Sequence, residues 1–269
     1  MKRSTLAITA ASLVAAIAVA GWLWRRETQA PPPPAPPPAA SAPSLAPSAA
    51  SPPAVLYPIA PAASQAAGPL DLEAELAGVF GRKAVQALFQ VDGFARRLVA
   101  TVDNLGRTSA SPRMWPLSPV PGRFTVEKRG DAVFVSPDNG SRYTPYVLLA
   151  EATELRQAVA LYARLYPQLQ QAYEELGYPG RHFNDRMVEV IDQLLATPEV
   201  DGPLEVRLPP HDPSLQVPRP WVLYELVDPS LRSLTAGQRM LLRMGPVNER
   251  RIKARLAELR HLLTARAPR

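Results

Sequence analysis

The sequence predicts a mainly α fold: a single helical domain with one or two short β-hairpins, preceded by a transmembrane helix and a disordered Pro/Ala-rich linker. Apolar residues recur at helical spacing over most of residues 70–269. Only two short stretches alternate between apolar and polar residues as strands do. The first 69 residues hold one apolar run and one proline-rich run, so the hydrophobic core must come from the remainder.

Residues 1–26 are predicted to be an N-terminal transmembrane anchor. An uncharged run at positions 5–24 lies between basic pairs at positions 2–3 and 25–26. Twenty helical residues span about 30 Å, the thickness of the hydrocarbon core of a bilayer. The alternative is a signal peptide cleaved near Ala20. The leader looks bacterial, and we expect a single-pass inner-membrane protein with its C-terminal domain in the periplasm, or secretion to the periplasm after cleavage.

Residues 27–69 are predicted to be a stiff, disordered linker. Positions 30–69 contain 14 Pro and 14 Ala and no charged residue. Proline fixes φ and lacks an amide hydrogen, which favours polyproline II over a folded core. Val55-Leu56-Tyr57-Pro58-Ile59 is the apolar cluster of this linker. It is either an undocked part of the linker or a segment that docks on the folded domain or on a partner.

Seven helices are predicted within residues 70–269 from apolar periodicity and end signals. Gly81 ends the first, Gly177 ends the longest, and a capping box at Thr235–Gln238 opens the sixth. Thr153 is expected to cap the longest helix, and Pro167 to break or kink it. The predicted helices cover residues 72–80, 82–89, 92–104, 154–176, 185–195, 235–244 and 248–263.

Shorter elements complete the domain. Ser136-Pro137 and Thr144-Pro145 each place an N-cap residue before a proline, which is typical of the first turn of a helix. Residues 124–135 alternate around a glycine-containing turn, which predicts a β-hairpin. A weaker hairpin pairs residues 204–208 with residues 221–226.

Residues that carry familiar chemistry are absent or scattered. The chain has no Cys, which excludes disulfides, thiolate metal ligands and a cysteine nucleophile. Its three His residues lie too far apart for a metal-ligand spacing. Neither a Gly-x-Ser-x-Gly elbow nor a phosphate-binding glycine loop occurs. The sequence therefore predicts no catalytic residue, no metal site and no cofactor.

One segment concentrates polar and aromatic side chains just before and within a predicted helix. Asp185, Glu189 and Asp192 follow one another at helical spacing, so their carboxylates lie within about 60° of one another. That face either performs acid–base chemistry or binds a cation, or it is a solvated face whose opposite side packs inward. The residues predicted to form a binding site are Tyr178, His182, Asn184, Asp185, Arg186 and Glu189.

Two further patterns allow more than one interpretation. Three tyrosines of the longest helix either form a sugar-binding platform or belong to the core, since they share its apolar stripe. The basic residues of the last helix have no interleaved aromatic residues, which argues against a nucleic-acid partner. They suit contacts with a helix C-terminus or with anionic lipid head groups.

Five strings stand out within the domain: LVATVDNL (98–105), YTPYV (143–147), AYEELGYP (172–179), FNDRMVEVID (183–192) and RMGPVN (243–248). Together they resemble a bacterial domain-of-unknown-function family, the one numbered 3014. The resemblance extends over residues 70–262, and the last three strings are the specific ones. It implies an N-terminal membrane segment, a proline-rich tether and one mainly helical domain, and it implies no known activity.

These observations predict a membrane-tethered cell-envelope protein with three parts: an anchor (1–26), a linker (27–69) and a mainly helical domain (70–269). We expect the domain to be a non-catalytic binding or scaffold module held in the periplasm, because a long spacer is useful when a partner lies at a distance. The expected partners are the membrane and an envelope protein or the cell wall. An envelope hydrolase that uses the acidic residues of the 185–192 helix is the alternative.

Overall fold

The computed structural model describes residues 54–59, 71–210 and 219–265. The predicted anchor and most of the predicted linker lie outside the described residues. Nine α-helices occur in the described part: α1 (Leu72–Phe80), α2 (Arg82–Leu88), α3 (Phe94–Leu105), α4 (Asn139–Ala152), α5 (Leu155–Glu175), α6 (Phe183–Leu195), α7 (Pro229–Arg232), α8 (Ala236–Arg243) and α9 (Pro246–Thr264).

The helix bounds agree with the sequence prediction wherever periodicity and capping act together. Asp71 caps α1 by accepting a hydrogen bond from the Ala74 amide, and Gly81 ends it. Thr235 and Gln238 form the predicted capping box at the start of α8. The mainly α prediction is therefore confirmed for the described residues.

Two local predictions about helix starts are wrong. Pro145 lies inside α4, because that helix begins earlier, at Asn139. Glu154 rather than Thr153 caps α5, since its carboxylate accepts from two successive amides, whereas the Thr153 hydroxyl donates back to the Leu149 carbonyl. The α5 helix continues through Pro167 as one element, so this proline does not break it.

Two small antiparallel hairpins accompany the helices, as predicted. In the first, β1 (Val126–Arg129) pairs with β2 (Ala132–Val135), and Val126 lies opposite Val135. In the second, β3 (Val206–Arg207) pairs with β4 (Glu225–Leu226). The Val135 amide donates to the Leu204 carbonyl at 2.9 Å, which joins the two hairpins edge to edge.

The core forms where α5 packs against its neighbours. Leu169 and Tyr173 of α5 are almost fully buried, together with Phe183 at the start of α6. Helices α3, α6 and α9 all contact α5, and α9 also packs along α4 and α6. A second, smaller cluster of Val188, Ile191 and Leu263 lies between α6 and α9.

The fold class needs one correction. Within the described residues, no helix combines the length and the apolar character needed to cross a membrane. The transmembrane helix is therefore removed from the fold class, and the inner-membrane location that depended on it is withdrawn. The prediction rested on residues 1–26, which lie outside the described residues.

Gly237 of α8 lies where this helix packs closely against α3 and α6. A Cβ atom at this position would lie 2.6 Å from Leu194 Cδ2 and 3.1 Å from the Leu105 carbonyl oxygen. We expect Gly237→Ala to lower the free energy of unfolding by about 1–3 kcal/mol, because the main chain of α3 cannot move away freely. Gly78→Ala is the matched control, since a methyl group added there would meet no atom within 4 Å, and it should raise stability by up to about 1 kcal/mol. Chemical denaturation measures both; equal effects would contradict the close packing.

Candidate functional site

The predicted site residues separate into two neighbouring groups around the start of α6. Tyr178, Arg186 and Glu189 belong to a network built on a buried carboxylate of α3. Asn184 and Asp185 face the segment of residues 54–59. His182 precedes the first residue of α6, and its side chain makes no hydrogen bond within the described residues.

Asp103 is the centre of the first group. Its carboxylate is only 4% exposed and lies on the inner face of α3, four residues after Val99. Arg186 donates to it from Nε at 3.1 Å, Arg107 pairs with it at 2.7 Å, and the Tyr178 hydroxyl lies 3.2 Å from both oxygens. Three donors thus compensate the desolvation of one buried carboxylate.

The same network fixes α6 against α3. Arg186 donates a second hydrogen bond, from Nη2 to the main-chain oxygen of Asp103, and pairs through Nη1 with Glu189 at 2.9 Å. Burial acts to lower the pKa of Arg186, but the bonds to Glu189 and the charge of Asp103 outweigh it and raise the pKa overall. The guanidinium therefore stays charged and acts as a structural clamp.

The second group holds a short segment of the predicted linker, Ala54–Ile59. Asp185 accepts the Tyr57 amide at 2.9 Å and the Leu56 amide at 3.2 Å, while Asn184 Nδ2 donates to the Tyr57 carbonyl at 2.9 Å. Successive amides of an extended strand point in opposite directions and cannot both reach one carboxylate. The Leu56 and Tyr57 amides both reach Asp185 because the chain bends at these two residues. The segment is thus docked on the domain, which resolves the two alternatives left by the sequence.

Apolar contacts complete this docking. Tyr57 and Ile59 pack against the cluster of Val188, Ile191 and Leu263, whereas the Leu56 side chain points outward and is 70% exposed. We call the surface that receives the segment the segment groove. It is formed by Asn184 and Asp185 together with the apolar cluster of Val188, Ile191 and Leu263 of α6 and α9.

Asn184 is positioned before any ligand contacts it. The residue is fully buried, and its Oδ1 accepts a hydrogen bond from the Tyr162 hydroxyl at 3.1 Å. Burial raises the pKa of Tyr162, and the nearby Tyr166 and Asp185 raise it further, so the hydroxyl remains a neutral donor. This bond assigns Oδ1 as the acceptor and leaves Nδ2 to face the segment.

The three carboxylates of the predicted acidic strip each have a different partner. Asp185 binds the segment, Glu189 pairs with Arg186, and Asp192 pairs with Arg260 of α9. Within the described residues, no group of three or more His, Cys, Asp or Glu side chains is arranged to hold a metal ion. Asp103 was not among the residues predicted from the sequence to form a site. Its signal in the sequence was an acidic residue on the apolar stripe of a helix.

A family model described as Protein of unknown function (DUF3014) matches residues 94–260, which is more than half of the chain. The chain belongs to this family. No curated protein and no solved structure matches the chain. The matched span of the DUF3014 domain contains Asp103 and nearly all of the segment groove, whereas the docked residues 54–59 precede that span.

The Asp103 network should contribute strongly to the stability of the DUF3014 domain. We expect Asp103→Asn to lower the free energy of unfolding by about 2–5 kcal/mol, because the largely buried Arg186 loses the buried one of its two charged partners. Glu175→Gln is the matched control: it removes an ion pair whose side chains are 74% and 44% exposed, and its effect should stay within about 1 kcal/mol. Urea denaturation of both variants measures the difference, and similar losses would argue against a buried clamp.

Proposed function

We propose that the DUF3014 domain is a non-catalytic binding domain that takes a short, bent, apolar peptide in the segment groove. One observation carries this proposal: Asp185 and Asn184 contact three main-chain groups of the docked segment while Tyr57 and Ile59 enter an apolar cluster. Main-chain hydrogen bonds supply affinity that does not depend on sequence, and the apolar contacts supply selectivity.

The groove is suited to a ligand because its polar groups are fixed in advance. Tyr162 orients the Asn184 amide, and the Asp103 network holds the first turn of α6 in place. Binding then costs little additional ordering of the protein side chains. The partner expected from this chemistry is a protein that offers an apolar segment with two adjacent free amides, in competition with residues 54–59 of the chain itself.

A hydrolase that uses the carboxylates of this helix fits the geometry less well. General acid–base catalysis requires a carboxyl group that can exchange a proton with the substrate. The Asp185 carboxylate accepts two amide hydrogen bonds, and the Glu189 carboxylate is paired with Arg186. Both groups therefore act as hydrogen-bond acceptors, which is the role that a carboxylate has in a peptide-binding site.

The proposal is tested by supplying the segment as a separate peptide. In the full chain, Tyr57→Ser combined with Ile59→Ser weakens the internal segment and should open the groove. A labelled peptide with the sequence of residues 54–59 should bind this variant about tenfold or more tightly than it binds the wild-type chain, because the tethered segment no longer competes at high effective concentration. Fluorescence anisotropy measures both affinities.

Two controls separate the proposed contacts from nonspecific adhesion. N-methylation of the peptide at the positions of Leu56 and Tyr57 removes the donors to Asp185 and should lower affinity about tenfold, whereas N-methylation at Val55, whose amide makes no hydrogen bond in the described structure, should not. Asp185→Ala in the opened chain should cause the same loss. Equal binding of all three peptides would overturn the proposal, and cleavage of the peptide that Glu189→Gln abolishes would favour the hydrolase.

A further inference from the structure

A cavity on a different part of the domain concentrates positive charge. It has a volume of about 700 Å³ and lies between the chain that precedes β1, the start of α4, the end of α8 and the chain around Trp221. Four arginines line it, and none of its lining residues in the described part of the chain is acidic: Arg123, Arg142, Arg219 and Arg243. We call it the arginine cavity. It shares no residue with the segment groove.

Arg243 is the most deeply placed of these cations. Its Nη2 donates to the Tyr224 carbonyl at 2.7 Å, but its Nε is buried and has no hydrogen-bond partner within the described residues. Burial lowers the pKa of this guanidinium, and the neighbouring charge of Arg239 lowers it further. Within the described residues, no carboxylate pairs with Arg243, and its Nε has no acceptor.

Arg142 and Arg123 line the same cavity. Arg142 donates to the Pro121 and Gly122 carbonyls and to Asn139 Oδ1, which are all neutral acceptors. Arg123 is exposed and lies with Cζ 4.5 Å from the centre of the Trp221 ring. These contacts fix the two guanidinium groups without neutralising them.

Four aromatic residues also line the cavity. The rings of Phe124 and Tyr224 lie 5.9 Å apart, and Tyr143 and Trp221 line the cavity near them. Flat apolar walls with a few converging charged groups are typical of sites for small organic ligands, which commonly occupy cavities of about 300–1,000 Å³. The rings favour a planar group, and the arginines favour an anion that can accept several hydrogen bonds.

From this juxtaposition we infer that the arginine cavity binds a small organic anion that carries a flat ring together with a phosphate or carboxylate group. The anionic group lies at Arg243 and Arg123, where it supplies the missing acceptor and counter-charge. The ring lies against Phe124, Tyr224 and Trp221. This site is independent of the segment groove, and either function can be absent without the other.

The test uses the full chain and isothermal titration calorimetry with phenyl phosphate, benzoate, inorganic phosphate and phenol. Phenyl phosphate or benzoate should bind saturably at one site, about tenfold or more tightly than phosphate or phenol, because only these probes combine both parts. Arg243→Gln and Arg123→Gln should each weaken that binding about tenfold. Arg129→Gln is the matched control: it removes the same charge from an exposed arginine of β1 outside the cavity, and it should change affinity less than about twofold.

Three results would overturn the inference. The first is the absence of saturable binding of both ring-bearing anions to the wild-type chain. The second is binding of inorganic phosphate as tight as that of phenyl phosphate, which would remove the role of the rings. The third is an equal loss in Arg129→Gln, which would indicate nonspecific charge attraction. Arg123 is exposed, so Arg123→Gln keeps the test decisive if Arg243→Gln does not fold.

Discussion

The arrangement of this domain depends on one buried carboxylate. Asp103 lies on the inner face of α3, where a charge is tolerated only if donors surround it. Arg186 of α6 supplies two hydrogen bonds, one to the side chain and one to the main chain of Asp103. This requirement sets the position of the first turn of α6 relative to α3. The same turn carries Asn184 and Asp185. The contact that neutralises Asp103 therefore also sets the positions of these two residues of the segment groove.

The long helices, the capping box of α8 and the first hairpin could be predicted because their signals are local. Tertiary packing decided the features that could not be predicted. Pro145 lies within α4 because that helix begins at Asn139, where a contact from farther along the chain holds its first turn: Asn248 Nδ2 donates to the Gly140 carbonyl. The Ser136-Pro137 pattern placed a helix start close to Asn139, but no local pattern shows that the helix continues through Pro145.

In the candidate sites too, local features could be predicted from the sequence, whereas contacts between distant residues could not. The sequence identified the acidic face of α6 but assigned its three carboxylates to one strip, whereas each of them has a separate partner in the structure. The docking of residues 54–59 depends on residues more than 120 positions away, which periodicity cannot reveal. The arginine cavity likewise gathers side chains from positions 123, 142, 219 and 243, which have no common motif. Several basic residues of α9 bond within the domain. Arg251 pairs with Glu151, and Arg255 donates to the Ala150 and Thr153 carbonyls at the C-terminal end of α4, a contact with a helix C-terminus that the sequence had left open.

The burial of Asn184 has a consequence for how the segment groove changes its occupant. With residues 54–59 in place, the amide of Asn184 is fully enclosed and its Nδ2 has the Tyr57 carbonyl as acceptor. If the segment simply departed, that donor would have to be hydrated in a largely apolar recess, which is unfavourable. A competing segment avoids this unfavourable intermediate if its carbonyl accepts the Asn184 hydrogen bond as the Tyr57 carbonyl leaves. The lifetime of the closed form should therefore shorten as the concentration of a competing chain rises, a kinetic behaviour that an apolar groove without a buried amide would not show.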